Sequence, residues 1–366
     1  MLHVPCFMII GIHAKGAFQK ERTGVEEYVY QLIKHLAMLD ESADHKFKLY
    51  TPTNSETDLY LPPNFKTEKL FSPFFWTKAR LSLKMIFNSP DVLFMPANFL
   101  PVFYPKKNVV TIHGVEFEYF PEAYSAPMLK HLKTGTKKIV EEATKIIAVS
   151  HATKNDLIRF YNADPKKITV IHHGVNSQIA FHHRYPPLDE KYILYVGRLE
   201  KRKNVHNIVK AFFILKEKFK IPHKLVLVGS RGYGFTEINN EIESTGHKED
   251  VVLTGYISGE EKESFIKYAD VLVFPTLYEG FGMPILEAQI RETPVVTSNI
   301  PSIIEIAGAG ALLIDPLSVE ELHSSIYKII SDKNFKNDLI VKGLSNIQRF
   351  SWLKCAQQTL EVLTRD

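Results

Sequence analysis

Two glutamates that flank a glycine-rich turn are the most distinctive chemical feature of the chain. In the segment YEGFGMPILE, seven residues separate Glu279 from Glu287. The residues between them include two glycines and a proline: Gly280, Gly282 and Pro284. Glycine lets the backbone approach a ligand closely, and proline is favoured in the first turn of a helix. The pattern therefore predicts a helix that runs from about Met283 to Ile290.

The start of this predicted helix is suited to an anion. Backbone N–H groups at a helix start bind anions, and those concerned here belong to Gly280, Phe281, Gly282 and Met283. A carboxylate accepts hydrogen bonds from paired hydroxyls, so two carboxylates around an anion site suit a sugar, a phosphate and a second sugar. That is the order of groups in a nucleotide sugar. The plain alternative is an ordinary helix start with one capping glutamate and one solvated glutamate.

A second group of charged residues follows an apolar run, in the segment GRLEKRKN. Arg198 and Lys203 are the candidate cations, with Arg202 beside them. Cations at the end of a strand and before a helix can neutralise a diphosphate. A basic solvated loop is the competing interpretation.

Short β-branched or apolar runs alternate with amphipathic helical stretches along the chain, and each run predicts a strand. The predicted strands are Met8–His13, Phe47–Tyr50, Asp91–Met95, Asn108–His113, Lys145–Ser150, Ile168–His172, Tyr192–Gly197, Lys224–Gly229, Val251–Gly255, Val271–Pro275, Pro294–Ser298 and Ala311–Ile314. Strands that alternate with helices indicate right-handed crossovers and a parallel sheet. The 366 residues exceed the size of a single core, so two doubly wound domains are expected.

The polar, proline-containing segment 182–190 marks the boundary between them. We therefore expect a first domain over residues 1–185, a second over 186–345, and a C-terminal helix over 346–366 that packs back on the first domain. Ligands of open parallel sheets bind beyond the carboxyl ends of the strands. Two such domains that face each other would form one cleft.

Composition narrows the class of protein. Net charge is +4 and the pI is about 8.7, too weakly basic to imply nucleic acid but compatible with a phosphorylated substrate. The two cysteines, Cys6 and Cys355, give no disulfide framework, so a cytoplasmic location is expected. No apolar run is long enough to span a membrane, and the N-terminus lacks a signal-peptide pattern. Either Met1 or Met8 could be the first residue.

Four segments in this order resemble the retaining glycosyltransferases of family 4, which have the GT-B fold. They are IIAVSHATKNDL, VIHHGV, GRLEKRKN and YEGFGMPILE. The resemblance covers nearly the whole chain and implies two facing Rossmann-like domains of α/β architecture with a cleft between them.

The resemblance also implies roles for the residues around the two charged segments. Arg198 and Lys203 would hold the donor diphosphate, Glu287 the ribose hydroxyls, and Glu279 the transferred sugar. The backbone around Gly280–Met283 would meet that sugar and the phosphates.

In the first half, the resemblance implies that the loop at Gly24 meets the donor phosphate and that His113 lies near the transferred sugar. Without the resemblance, Gly24 is a glycine in a generic loop and His113 a polar residue at a strand end. The family often has His–Asp where this chain has His113–Gly114, so the acidic role is either absent or taken by Glu116 or Glu118. Ser150, at the next strand end, is a weaker candidate.

Two further features allow more than one interpretation. Phe74–Phe87 mixes aromatic with basic residues, so it is either an interfacial helix that approaches a lipid-linked acceptor or a core-packed helix with solvated charges. The pairs His172–His173 and His182–His183 lack the spacing of metal ligands, and no D-x-D motif occurs, so no metal is expected.

The resemblance implies a retaining hexosyltransferase of polysaccharide biosynthesis. A diphosphate held by Arg198, Lys203 and helix starts needs no metal, so a metal-independent enzyme without a cofactor is expected. The donor is expected to be a nucleoside-diphosphate sugar, with a modest preference for GDP-mannose, and the acceptor a glycan or a lipid-linked glycan. Contact with the inner face of the membrane would be peripheral. The alternatives are a nucleotide-sugar epimerase of similar fold, a sugar phosphorylase, and a non-catalytic protein that binds sugar nucleotides.

Overall fold

The chain forms two compact units. The computed structural model describes residues 7–53, 56–71, 80–176 and 186–365. Unit 1 comprises Met1–Gly174 and Phe350–Asp366, and unit 2 comprises Val175–Arg349. The C-terminal segment from Phe350 thus belongs to the first unit.

Every sheet pairing in the described residues is parallel. The strands are β1 (Ile9–His13), β2 (Lys46–Pro52), β3 (Phe65–Leu70), β4 (Val92–Met95), β5 (Lys107–Ile112), β6 (Lys145–Ala148), β7 (Ile168–Val170), β8 (Tyr192–Val196), β9 (Lys224–Val228), β10 (Val251–Gly255), β11 (Val271–Phe274), β12 (Val295–Ser298) and β13 (Leu312–Ile314). Unit 1 has the strand order β3-β2-β1-β4-β5-β6-β7, and unit 2 has the order β10-β9-β8-β11-β12-β13. The predicted α/β class with two parallel sheets is confirmed.

Helices connect the strands and cover the sheets. They are α1 (Gly24–Leu36), α2 (Ser82–Phe87), α3 (Glu116–Tyr119), α4 (Ala126–Glu142), α5 (His151–Tyr161), α6 (Val205–Phe219), α7 (Phe235–Glu243), α8 (Gly259–Tyr268), α9 (Met283–Ile290), α10 (Pro301–Ala307), α11 (Val319–Ser331), α12 (Lys333–Asn346) and α13 (Trp352–Thr364). Central strands such as β4 (VLFM), β8 (YILYV) and β11 (VLVF) are buried throughout. Continuous apolar strands are expected where helices cover both faces of a parallel sheet.

The strand β3 was not predicted, because its sequence FKTEKL contains no apolar run. Only its two ends, Phe65 and Leu70, are buried. It lies at the edge of the sheet of unit 1 and, among the described strands, pairs with β2. Charged residues are common on edge strands because they oppose pairing with other chains.

A close approach of the backbone packs the last helix against unit 1. A Cβ atom added to Gly174 would lie only 2.0 Å from the backbone nitrogen of Trp352. The Trp352 ring stacks on His173 with centroids 5.7 Å apart, and His173 stacks on Tyr28 of α1 at 4.6 Å. The start of α13 is thereby packed against both α1 and the segment after β7.

Parts of several predicted features lie outside the described residues. These are the first residues Met1–Cys6, the pair His182–His183, the first part of the boundary segment 182–190, and the first part of Phe74–Phe87. Within the ranges that the structure describes, no helix is both long and apolar enough to cross a membrane.

Candidate active site

The candidate site of unit 2 lies where the order of strands in its sheet reverses. β8 and β11 are neighbours in the sheet, and chain connections leave them in opposite directions. In open α/β sheets such a switch point creates a crevice at the carboxyl ends of the strands. The loop after β8 carries the GRLEKRKN segment, and the loop after β11 carries Glu279.

Lys203 and Glu279 meet at this switch point. The Lys203 ammonium donates to Glu279 Oε2 over 2.5 Å, and Lys203 itself is only 7% exposed. Lys203 ends the 3₁₀ turn Lys201–Lys203, after which Asn204 adopts a left-handed conformation with φ 62°. The Asn204 side-chain amide donates to the carbonyl oxygen of Pro275 over 3.0 Å, which ties this turn to the end of β11. The fold therefore brings one predicted cation and one predicted carboxylate into direct contact.

Arg202 binds the same carboxylate as Lys203. Its guanidinium donates to Glu279 Oε2 over 3.1 Å, to the Tyr278 carbonyl over 2.9 Å, and to Glu200 Oε1 over 2.6 Å. Sequence reasoning placed Arg202 beside the cations but missed Glu200. The alternating charges of GRLEKRKN could have indicated an ion pair between Glu200 and Arg202, but a solvated basic loop has the same pattern.

Burial and the neighbouring charges shift the pKa values of Glu279 and Lys203. Burial would by itself raise the pKa of Glu279, but the adjacent Lys203 and Arg202 outweigh it, and the net pKa is lowered. Burial lowers the pKa of Lys203, with a further contribution from the Arg202 charge, and Glu279 opposes both. Glu279 is accordingly held as a carboxylate in a half-buried position.

The helix predicted after the glycine-rich turn has the expected bounds, Met283–Ile290, with a proline in its first turn. Gly282 precedes it with φ 100°, a conformation that favours glycine. A Cβ atom at Gly282 would also lie 2.9 Å from the Ile303 side chain. The Ser302 hydroxyl donates to the Glu279 carbonyl over 2.5 Å, which anchors the turn to α10.

Glu287 lies on α9 and pairs with a different cation. Lys262 of α8 donates to Glu287 Oε1 over 2.7 Å. The buried Arg291, directly after α9, donates to Glu263, the neighbour of Lys262 on α8, over 2.6 Å, which provides a second link between α9 and α8. No contact joins Glu287 to Glu279 or Lys203 in the described residues.

Arg198 follows β8 at the same edge of the sheet, but its side chain is exposed. Among the described residues, its guanidinium makes no ion pair, and only its backbone carbonyl is engaged, by the Tyr195 hydroxyl at 2.8 Å. A Cβ atom on Gly232 would lie 3.2 Å from Arg198 Cγ and 2.8 Å from Glu200 Cβ. The segment GSRGYG after β9 therefore packs directly against the loop that carries the cations.

His113 is the first residue after β5 in unit 1. Its backbone N–H donates to Asn98 Oδ1 over 3.0 Å, and its ring Nε2 lies 2.9 Å from the Pro96 carbonyl oxygen. Because a carbonyl oxygen only accepts, Nε2 carries the proton and Nδ1 is the acceptor nitrogen. Burial lowers the pKa of His113 to about 4, so its ring is neutral near pH 7.

Gly24 is the first residue of α1 and is exposed, with no neighbouring atom within 4 Å of a built Cβ. A capping box between Thr23 and Glu26 begins the helix. Glu26 acts electrostatically on His113, and Tyr28 contacts the His113 ring edge-on at 4.8 Å. The start of α1 and the end of β5 are therefore close within unit 1.

The remaining candidates of unit 1 have structural partners. Glu118 pairs with Lys133 over 2.6 Å and accepts a short hydrogen bond from the Tyr161 hydroxyl, and Glu116 accepts one from Tyr124 over 3.3 Å. Ser150 caps α5 by accepting from the Thr153 N–H over 3.1 Å. No cluster of three or more His, Cys, Asp or Glu that could hold a metal ion occurs in the described part of the chain.

Comparison with known proteins identifies the class of this fold and site. A family model for glycosyl transferases group 1 matches residues 178–345, and a model for glycosyltransferase family 4 matches residues 22–179. The solved structure of a sucrose-phosphate synthase from Thermosynechococcus elongatus superposes with a TM-score of 0.76 at 21% identity, over 97% of this chain and 98% of that one. The two family models and this superposition together identify a glycosyltransferase with the GT-B fold.

Curated relatives agree with this class. The O-antigen chain mannosyltransferase B of Escherichia coli is 26% identical over 279 residues, which are 74% of this chain and 73% of that protein. The O-antigen chain mannosyltransferase RfbU of Salmonella typhimurium is 26% identical over 70% of this chain and 69% of its own length. The chain belongs to glycosyltransferase family 4, as its motifs predicted.

Proposed function

We propose that the protein transfers a hexose, preferentially mannose, from a nucleoside-diphosphate sugar to a glycan or lipid-linked acceptor, with retention of the anomeric configuration. The contact between Lys203 and Glu279 at the strand-order reversal of unit 2 is the observation that carries the proposal. It places a cation suited to a phosphate beside a carboxylate suited to sugar hydroxyls, in the crevice where such sheets bind ligands.

In this proposal, unit 2 binds the donor. Lys203 and Arg198 neutralise the diphosphate, and the start of α9, from Gly280 to Met283, adds backbone N–H groups and the positive end of a helix. Glu279 accepts hydrogen bonds from the transferred sugar. Glu287 accepts them from the ribose. These groups supply the positive charge that a bound metal ion supplies in other transferases, so the proposed reaction is metal-independent and uses no cofactor.

The proposed chemistry breaks the bond between the anomeric carbon and the diphosphate. The sugar acquires oxocarbenium character and the leaving group gains negative charge, which Lys203 and Arg198 stabilise. Preorganised charges of this kind are usually the largest single contribution to catalysis. The acceptor hydroxyl adds on the face that the diphosphate leaves, and the departing phosphate takes its proton.

The preference for mannose rests on the relatives. Both curated proteins described above are named as O-antigen chain mannosyltransferases. Their names also favour transfer over epimerisation. We therefore propose GDP-mannose as the first donor to test.

A peripheral contact with lipid is proposed for unit 1, since a lipid-linked acceptor would bring the protein to a membrane. α2 lies in the described part of the segment Phe74–Phe87, and it exposes Leu83, Ile86 and Phe87 to 45%, 50% and 83%. Arg80, just before this helix, is exposed as well. Apolar side chains next to a cation are typical of surfaces that bind anionic lipid.

The proposal is tested by calorimetry and by product analysis. The wild-type chain is titrated with GDP-mannose, UDP-glucose and the corresponding nucleoside diphosphates, and is then incubated with labelled donor and a lipid-linked glycan extract. Transfer of label to the extract, with an anomeric configuration unchanged by NMR, is the expected result. Release of an altered free sugar without any acceptor would instead show an epimerase, and binding without turnover would show a non-catalytic protein.

A further inference from the structure

We infer that Arg202, held by Glu200, is a positioning residue that keeps the Glu279 carboxylate in place independently of Lys203. The inference rests on the proposed function. It means that Lys203 can turn to the donor diphosphate without releasing the residue that binds the transferred sugar.

Arg202 is fixed by contacts on both sides of the switch point. Its guanidinium bridges Glu200, which follows β8, and Glu279, which follows β11. Its backbone carbonyl also accepts from the Leu277 N–H over 2.9 Å. Glu200 is 8% exposed, so the far end of the bridge is anchored in a buried position. Arg202 therefore links the two loops through its side chain and its backbone.

The two cations differ in what else holds them. Among the described residues, the Lys203 ammonium hydrogen-bonds Glu279 and otherwise lies over the Phe274 ring at 5.4 Å. Arg202 bonds Glu200 and the Tyr278 carbonyl as well as Glu279. A lysine ammonium is a point charge on a flexible chain, whereas a guanidinium is a rigid fork that can serve two carboxylates together. The geometry suits Lys203 to move and Arg202 to stay.

The charges of the cluster show why a fixed partner is needed. Two carboxylates, Glu200 and Glu279, face two cations, Arg202 and Lys203. When Lys203 turns to a diphosphate, Glu279 keeps a counter-charge only if Arg202 remains. A buried carboxylate that loses all its partners is strongly destabilised, and it tends to take up a proton.

The carboxylate is also oriented by this arrangement. Both Lys203 and Arg202 bond the same oxygen, Oε2 of Glu279. No other hydrogen bond reaches the carboxylate from the described residues, so Oε1 is the oxygen left for a sugar hydroxyl. Loss of Arg202 would let the Glu279 carboxylate rotate. The affinity for the transferred sugar would then fall, whereas the affinity for the nucleotide would not.

The test compares Arg202→Gln with Lys201→Gln, a control with the same change of charge one residue away. Lys201 is exposed, and its side chain makes no ion pair within the described ranges. For Arg202→Gln we expect the Kd of the nucleoside diphosphate to change less than about threefold. We expect kcat/KM with the sugar nucleotide to fall at least about tenfold, as on losing a hydrogen bond to a charged group. Lys201→Gln should change neither.

Two further variants distinguish positioning from a purely structural role. Arg202→Lys should restore little activity, because one ammonium cannot bridge Glu200 and Glu279. Glu200→Gln should act in the same direction as Arg202→Gln, and the double variant should be no worse than Arg202→Gln alone, since both act through one contact. Thermal unfolding of each variant checks that the fold is intact.

Three outcomes would overturn the inference. If Arg202→Gln lowered the affinities for nucleoside diphosphate and for sugar nucleotide equally, Arg202 would be a direct phosphate ligand. Full activity of Arg202→Gln would show that Glu279 needs no such support, and additive losses in the double variant would show that Glu200 acts elsewhere. A wild-type chain that binds no sugar nucleotide at all would instead refute the proposed function itself, so the two failures are distinguishable.

Discussion

The ammonium of Lys203 lies 2.5 Å from the Glu279 carboxylate and joins two loops that are 76 residues apart in the chain. The contact crosses between the ends of β8 and β11, the two strands at which the sheet order of unit 2 reverses. Because Arg202 binds the same carboxylate, removal of Lys203 leaves Glu279 paired. The site can therefore be altered without exposing an unpaired charge.

Lys203→Ala is expected to abolish turnover while the protein stays folded. Loss of one preorganised charge on a leaving group costs on the order of 100-fold or more in kcat. Arg198→Ala should have a comparable effect on turnover and a smaller effect on stability, because its guanidinium is exposed. Initial rates with labelled donor, together with circular dichroism, measure both effects. If both variants turned over normally, the assignment of the diphosphate site would be wrong.

Glu287→Ala is expected to weaken donor binding more than it lowers kcat, since a ribose contact is made equally in the ground state and the transition state. Because Glu287 also pairs with Lys262, the variant loses an ion pair between helices. Lys262→Gln is the matched control, since it removes that pair and keeps the carboxylate. Calorimetry should show a larger loss of donor affinity for Glu287→Ala than for Lys262→Gln. Equal losses would mean that Glu287 is only a structural partner of α8.

The sequence motifs predicted much of the fold and part of the candidate site. The turn Gly280–Pro284 predicted the start of α9 correctly, because glycine and proline act through local backbone conformation. The contacts of Glu200 and Arg202 could not be predicted, because they depend on which strands become neighbours in the sheet. Arg198 and Glu287 show the same limit, since among the described residues neither contacts Lys203 or Glu279.

The long-range packing in unit 1 could not be predicted from the sequence either. Tyr28, His173 and Trp352 stack on one another although they come from the beginning, middle and end of the chain. The spacing of His172–His173 argues against a metal site but indicates no other role, and the aromatic partners of His173 account for its burial. A histidine in an apolar run has the same local sequence pattern whether it binds a metal or packs against aromatic rings.

The exposed apolar side chains of α2 are expected to bind anionic vesicles. Replacing Ile86 and Phe87 together by Ser should lower the fraction of protein that sediments with phosphatidylglycerol vesicles, because both side chains lose apolar area that could enter the lipid. Tyr60→Ser is a suitable control, since Tyr60 is 90% exposed on another segment of unit 1. Sedimentation that is unchanged in the α2 variant, or equally reduced in the control, would refute a lipid contact at this helix.

Buried histidines are expected to make unit 1 sensitive to acid. Burial lowers the pKa of His13 to about 3 and that of His173 well below its usual value, whereas an unfolded histidine titrates near pH 6.5. Between these values the unfolded chain binds more protons, so the free energy of unfolding falls as pH drops below about 6.5. Urea unfolding at pH 7 and pH 5, followed by tryptophan fluorescence, measures the change, since Trp352 stacks on His173 within unit 1.

His173→Phe keeps a ring between Tyr28 and Trp352 but cannot be protonated. The loss of stability between pH 7 and pH 5 should be smaller than in the wild type by about 1–2 kcal/mol. His131→Asn, an exposed substitution on α4, should leave the pH dependence as it is. An unchanged pH dependence in His173→Phe would show that His173 is not neutral in the folded protein.

Gly174→Ala is expected to weaken the attachment of α13 to unit 1. The added Cβ atom would lie 2.0 Å from the nitrogen and 2.5 Å from the Cα of Trp352, so backbone must move to admit it. Overpacking of this kind typically costs about 1–3 kcal/mol. Gly135→Ala is the matched control, because Gly135 lies inside α4 with no atom within 4 Å of a built Cβ. That variant should be more stable than the wild type by about 0.4–1 kcal/mol, since alanine restricts the unfolded chain. Urea unfolding gives both values, and hydrogen exchange should show faster opening of α13 in Gly174→Ala only. Equal stability of the two variants would mean that the segment after β7 does not hold α13 in place.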